Sequence, residues 1–407
     1  MAGHRPDRRT FLLGLGAALA GCAWFDEAAS PEPTPEPATP EPPPPPPAPW
    51  ISEARAALSR GLDWLWGQQS DDGRFRSSTY GFFREGQSLT PFALDALLDV
   101  AAAGVEVDGA RVAMALEAIH LMTHKGAVGL LGAAADYPVY ATGLALSCWG
   151  RVRPPGWEDR VRSHLGWLLD KQLTGEEWSG HIAHGGFPMG GGERPTPATP
   201  GHVDLSMTRR ALTGLRDAGL PLDHRAFRLG RRFVLACAGE GGGFVYSPVQ
   251  PELNKGGGLR TGDPPISVAS YGSATCDGLL ALRAVTAGPL TEATHPRVGS
   301  ALVWLRRHHR LDANPGVQGG PMEVFGPAMK GYYRAASSRV FEALGGPEGW
   351  EGELVKAVLD EQREDGSWAN PSNLQKEDDP LVATPLALRA VARAIASSER
   401  SRAGSRP

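Results

Sequence analysis

Six times along this chain a Thr or Ser opens the same short apolar pattern. A pattern copied at intervals constrains the fold more than any single residue does. The copies read TPFALDAL from Thr90, TGLALSCW from Thr142, TRRALTGL from Thr208, TCDGLLAL from Thr275, SSRVFEAL from Ser337 and TPLALRAV from Thr384. Successive starts lie 52, 66, 67, 62 and 47 residues apart. One such unit cannot bury its apolar face alone, whereas stacked copies enclose a continuous core.

Each unit reads as two helices. The first starts with Ala54-Arg55-Ala56-Ala57-Leu58 and continues through Leu62, Trp64, Leu65 and Trp66, with apolar residues recurring at helical spacing. The helix runs out at Gln68-Gln69 and is followed by Ser70-Asp71-Asp72-Gly73-Arg74-Phe75, where Gly73 supplies the left-handed turn. The same ending recurs from Glu361 to Trp368, and in weaker form at Gly185-Gly186-Phe187 and Gly242-Gly243-Phe244. The second helix then begins, with its Thr or Ser expected at the N-cap, offering oxygen to the free amides of the first turn. Two insertions, residues 174–205 and 247–270, are too long for tight connections and are expected to cover one end. Two helices in six units predict an all-α fold of twelve helices. Six inner and six outer helices then close into an (α/α)6 toroid, the alternative being an open superhelix.

Not all 407 residues belong to that body. Residues 31–49 read PEPTPEPATPEPPPPPPAP, an extended spacer with little to bury. The expected organisation is an export signal over 1–22, a Pro-rich linker over 23–49, the toroid over 50–400 and a disordered tail over 401–407. In the signal, Arg8-Arg9-Thr10-Phe11-Leu12 precedes an apolar run that is too short to span a bilayer, and Leu19-Ala20-Gly21-Cys22 follows. RRTFL resembles a twin-arginine export signal and LAGC resembles a bacterial lipobox. The resemblance implies cleavage before Cys22, lipidation of its sulfur and a lipid-anchored, exported protein. Removing residues 1–22 (three Arg, one Asp) takes 41 basic and 45 acidic side chains to 38 and 44, a net charge of −6. No basic stripe interleaved with aromatics occurs, so nucleic acid is not an expected partner. Cys148, Cys237 and Cys276 are odd in number and lack a CxxC spacing, which predicts buried free thiols.

The stretch Gln362 to Trp368, QREDGSW, resembles the Gln–Trp repeat of the prenyltransferase and squalene-cyclase repeat superfamily, and QSDDGRF from Gln69 is a weaker copy. The resemblance covers residues 52–396 through the repeat plan. It implies an α/α toroid with a central apolar cavity that opens where the inner helices begin. The superfamily's best-known chemistries do not carry over. No DxDD acid motif occurs, and Glu377-Asp378-Asp379 lacks its spacing. Where protein prenyltransferases hold zinc with Asp, Cys and His, this chain has Ala269, Tyr271 and Ala383. A GCGEQ thioester is also missing.

If the units are in register, equivalent positions form rings at the mouth. Four residues before the starting Thr or Ser stand Asp204, Tyr271 and Tyr333; two after it stand Arg210, Asp277 and Arg339. Asp277 falls between two arginine positions and reads as an ionised partner of one of them, or as a proton donor if it is buried without a partner. Converging helix N-termini favour an anionic or carbonyl-bearing group. The tyrosines, including Tyr140, Tyr246, Tyr271, Tyr332 and Tyr333, fall in turns or near inner-helix starts, where phenols line a cavity and hydrogen-bond a ligand. His181, His184 and His202 cluster with Asp204 in the first insertion and are weak candidates for a metal, against solvated loop histidines. No cofactor is called for. The expected function is binding of an apolar, isoprenoid-like small molecule or a peptide. Two alternatives stand beside it: a cyclase-like isomerase with Asp277 as acid, and an (α/α)6 carbohydrate-active enzyme in which Asp204 and Asp277 flank the scissile bond.

Overall fold

The computed structural model describes residues 48–130, 136–256, 268–317 and 319–404. The signal-like segment with Cys22, and the linker up to residue 47, lie outside the described residues. Among the described residues six outer helices alternate with six inner ones. The outer set is α1 (Trp50–Gly67), α3 (Gly109–Leu121), α5 (Trp157–Lys171), α7 (Arg225–Ala236), α9 (Pro296–His308) and α12 (Trp350–Leu359). The inner set is α2 (Leu89–Ala102), α4 (Pro138–Val152), α6 (Leu205–Asp217), α8 (Gly272–Ala284), α11 (Lys330–Leu344) and α13 (Pro380–Gly404). A one-turn helix, α10 (Phe325–Ala328), leads into α11. A hairpin of two-residue strands pairs Thr123–His124 with Ala127–Val128.

Each inner helix packs on the next, and α13 packs on α2, so the ring is closed and the open superhelix is excluded. The two sets differ in composition for a physical reason. The outer α7 buries Ala226, Phe227, Gly230, Phe233 and Val234, a single stripe at helical spacing. The inner α8 is buried along nearly its whole length because it is enclosed on every side. The same enclosure explains α13, which is long and apolar enough to cross a membrane yet has 72% of that window buried inside the fold. α13 continues to Gly404, so residues 401–404 are helical rather than a disordered tail.

Glycine sets the spacing of α4 and α6. A Cβ at Gly214 would lie 2.3 Å from the Gly143 carbonyl oxygen, and one at Gly143 would lie 2.7 Å from that of Arg210. The turns join neighbouring outer helices. The Gln362 side-chain amide donates to the carbonyls of Ala57 and Gly366, which ties the sixth unit's turn to the first unit's helix. Gln69 and Gln172 repeat the device, donating to Gly73 and Arg111, and to Gly185 and Ala226. The Trp368 indole N–H donates to Val358 at 2.7 Å, anchoring the ring that gives this turn its sequence signature.

The repeated Thr is not an N-cap. It lies inside the inner helix, and its hydroxyl accepts a backbone N–H from the preceding turn. Phe75 bonds Thr90 at 3.1 Å, Val128 bonds Thr142 at 3.0 Å, and Phe187 bonds Thr208 at 3.1 Å. Phe244 bonds Thr275 at 3.1 Å and Trp368 bonds Thr384 at 3.0 Å. The fifth unit breaks the register. Thr208 and Thr275 are the fourth residues of their helices, whereas Ser337 is the eighth of α11, one turn deeper. Ser337 instead donates to its own helix at Arg334.

Candidate functional site

The inner helices begin at one end of the ring, and their starts are already capped by carboxylates and amides. Asp204 caps α6 by accepting from the Met207 N–H at 2.8 Å. Others are capped from a following turn: Glu377 accepts from Gly331 and Tyr332 on α11, and Asn314 accepts from Ser273 on α8. Asp136 accepts from Ser88 ahead of α2. The expected attraction of these helix ends for an anionic ligand is therefore met at these positions by the protein's own side chains. Burial pushes Glu377 up to about 7 and Asp136 up to about 6, against the donors they face.

Between these starts lies a cavity of about 260 Å³. Its walls are mainly aromatic and aliphatic: Phe83, Phe92, Tyr137, Tyr140, Leu205, Met207, Tyr246, Tyr271, Met329, Tyr332, Val382 and Leu386. Its charged lining is Asp277, Lys255, Lys376 and Glu377. Burial lowers the Lys255 amine, which sits 5.1 Å from the Tyr246 ring centre.

Asp277 reaches the cavity from α8 and is 3% exposed. The Tyr332 hydroxyl donates to its Oδ2 at 2.9 Å, and the Arg209 Nε stands 2.8 Å from its Oδ1. Arg209 also donates to the Tyr332 oxygen at 3.2 Å, closing a triangle. Burial pushes the Asp277 carboxyl above its ordinary value, while Arg209 and the Tyr332 hydrogen bond pull the other way. A cation and a hydroxyl donor facing one carboxylate favour its ionised form.

The structure keeps Asp277, Tyr140, Tyr246, Tyr271 and Tyr332 of the expected site together around this cavity. It removes Tyr333, Arg339, Arg210 and Asp204 from the lining. Tyr333 turns to the outer layer, where its hydroxyl lies 3.0 Å from the His309 Nδ1, because α11 is out of phase by one turn. The same offset drops Arg339 beneath the cavity. Arg210 points below the floor, 3.4 Å from Asp95 and under the Tyr140 ring. Asp204 is fully buried and used up by its cap, by the Tyr246 hydroxyl at 2.9 Å and by His202 at 3.0 Å. The metal candidates part company: His181 accepts from the Ala183 N–H, His184 meets Arg232, and His202 joins Tyr246. Among the described residues no group of three or more His, Cys, Asp or Glu gathers to hold a metal. Cys148, Cys237 and Cys276 are buried and free. Arg209 was not among the expected residues, since the register favours Arg210. Only its neighbouring position in a helix facing α8 hints at it.

An all-α closed ring with an aromatic cavity at the inner-helix starts defines the class: the chain is an (α/α)6 toroid. No protein-family model and no curated protein matches the sequence. Among solved structures the fold is similar to the type II terpene cyclase MstE from Scytonema, at 12% identity and TM-score 0.54, covering 86% of this chain and 99% of that one. A variant of that cyclase in complex with geranylgeranyl dihydroxybenzoate gives 12% identity, TM-score 0.55 and the same coverage. The GH76A alpha-1,6-mannanase from Salegentibacter sp. HEL1_6 is also similar, at 11% identity and TM-score 0.52, covering 85% of this chain and 99% of that one. Likeness at such identities is a likeness of fold.

Proposed function

We propose that the chain binds an elongated apolar ligand of isoprenoid type in its central cavity. The observation that carries this reading is the lining: aromatic and aliphatic walls, with the buried carboxylate of Asp277 at the floor and Lys255, Lys376 and Glu377 as its other charged groups. Apolar walls supply affinity by area, and a few polar groups orient the ligand. A peptide would bring a row of backbone donors and acceptors that this lining leaves unpaired, so a small molecule is favoured. The fold shared with a cyclase solved with geranylgeranyl dihydroxybenzoate supports the choice of ligand class. Native mass spectrometry of the protein from its own membrane, with the extracted lipids identified, tests it. A co-purifying isoprenoid that is lost in Tyr271→Ala is the expected result. Empty protein that also fails to bind added geranylgeranyl compounds overturns the reading.

A cyclase-like reaction is the second reading, favoured by one observation: burial raises the carboxyl of Asp277, a group that faces the cavity. Turnover of an isoprenoid substrate surviving in Asp277→Asn would exclude it as the acid. The carbohydrate reading has less support, because its second acid, Asp204, is committed to a helix cap outside the lining.

The same proposal extends to the address. Export through the signal-like segment, lipidation at Cys22 and tethering by the proline spacer place the cavity beside a bacterial membrane, where an apolar ligand is to be met. Palmitate labelling that persists in Cys22→Ala would sink this part alone.

A further inference from the structure

Directly beneath the cavity floor the toroid axis is filled by charge. Arg151, Arg209, Arg210, Arg339, Arg389 and Arg393 converge there from the inner helices. Asp95 meets Arg151 at 2.8 Å, Arg389 at 2.9 Å and Arg210 at 3.4 Å. Asp99 meets Arg151 at 2.8 Å and Arg393 at 2.5 Å, and Glu342 meets Arg393 at 2.9 Å and Arg400 at 2.5 Å. Asp277 is spent on Arg209 and Tyr332. Burial works against the Asp95 carboxylate, yet Arg389, Arg151 and Arg210 outweigh it and hold it well below the usual range.

The layer does not balance. Six guanidiniums face Asp95, Asp99, Asp277 and Glu342, with Asp217 as the fifth carboxylate, and Glu342 is shared with Arg400. Burial raises the Asp217 carboxyl, which weakens it as a counter-charge. Arg339 makes no ion pair and no side-chain hydrogen bond among the described residues. Burial first, and the neighbouring Arg393 second, depress it to about 10, against the pull of Asp99, Asp95 and Asp217. Among the described residues the Nε–H groups of Arg210, Arg389 and Arg393 are buried and without a hydrogen-bond partner, and Arg210 and Arg389 are each 4% exposed.

These arginines, with Arg209, surround a chamber of about 20 Å³ that also meets Asp99, Tyr332, Ala335, Ala336, Leu280 and Leu386. A space that size takes one water-sized particle. We infer that this chamber is a binding site for a monatomic anion of chloride size, held by Arg339 and by the unpartnered guanidinium N–H groups of Arg210, Arg389 and Arg393. A water would satisfy hydrogen bonds and leave the excess charge in a low-dielectric interior, where an uncompensated ion is costly. Sulfate or phosphate exceeds the volume. Among the described residues Asp99 is the one carboxylate in the lining, and its charge is already matched by Arg151 and Arg393.

Bromide, which replaces chloride and scatters anomalously, is the probe. Crystals of the unaltered protein soaked in sodium bromide are expected to show an anomalous peak among Arg339, Arg389 and Arg210. Thermal unfolding in sodium chloride against sodium gluconate, at equal ionic strength, is expected to give a saturable rise of roughly 2–4 °C in chloride. Arg339→Met should abolish that rise. No bromine peak together with equal melting in both salts overturns the inference in favour of water. A chloride effect that persists in Arg339→Met overturns it as well, by placing the ion elsewhere. If Arg339→Met does not fold, the bromide map of the unaltered protein decides.

Discussion

At Asp277 a guanidinium and a phenol converge on one carboxylate that is almost sealed from solvent. Removing one partner of such a pair leaves the other as an uncompensated buried charge. Asp277→Asn should therefore cost about 3 kcal/mol in urea unfolding through the stranded Arg209, and Tyr332→Phe should cost less. Glu377 poses the opposite problem. Its folded-state pKa, about 7, lies above its ordinary 4.5, so the stability it contributes is full below pH 4.5 and is lost as pH rises through 7. Asp136, at about 6, adds in the same direction. The protein should melt higher at pH 5 than at pH 8, and Glu377→Gln should flatten that slope; an unchanged slope would refute the assignment. Asp277, Tyr140, Tyr246, Tyr271 and Tyr332 were legible because polar and aromatic residues at inner-helix starts stand out from an apolar repeat. Arg209 and the misplaced Arg339 were not, because a linear pattern carries no information on which neighbour an arginine reaches for.

At the scale of the element, the repeated Thr holds each turn to its inner helix through one hydrogen bond from a buried backbone N–H. Thr275→Val keeps shape and volume but strands the Phe244 N–H, which should cost about 1–3 kcal/mol in chemical denaturation. Thr208→Val should behave alike through Phe187. Gly366 has φ +89°, and a Cβ there would lie 2.5 Å from the Arg60 carbonyl oxygen. Gly366→Ala should therefore destabilise by about 2 kcal/mol, from backbone strain together with the lost fit. The repeats gave away the number and kind of elements. They misread the Thr as a cap because an N-cap and a first-turn acceptor share one residue type. They missed the one-turn offset of α11 because Ser337-Ser338 imitates the start of the pattern in the wrong turn.

For the whole molecule, closure is the governing fact. α13 touches α1, α2, α11 and α12, so it is both the last element and the keystone between the ends. Truncation before Pro380 should expose the apolar faces of α2 and α11 and abolish cooperative unfolding, seen as a broad melt and rapid proteolysis; a sharp melt would contradict this. The apolar periodicity predicted stacked helical hairpins, but it could not distinguish a ring from a spiral. That choice rests on the packing of α13 on α2, joined by the meeting of Gln362 with Ala57 across 305 positions of sequence.

The seam at Gln362 has an evolutionary corollary. An open solenoid tolerates gain or loss of a copy, since each end is free. Here the terminal copies are mutual neighbours, and duplicating or deleting one would force every wedge angle around the circle to change at once. Descendants of such a chain are thus expected to diversify by lengthening or shortening connectors, as between α5 and α6, while their tally of hairpins stays frozen.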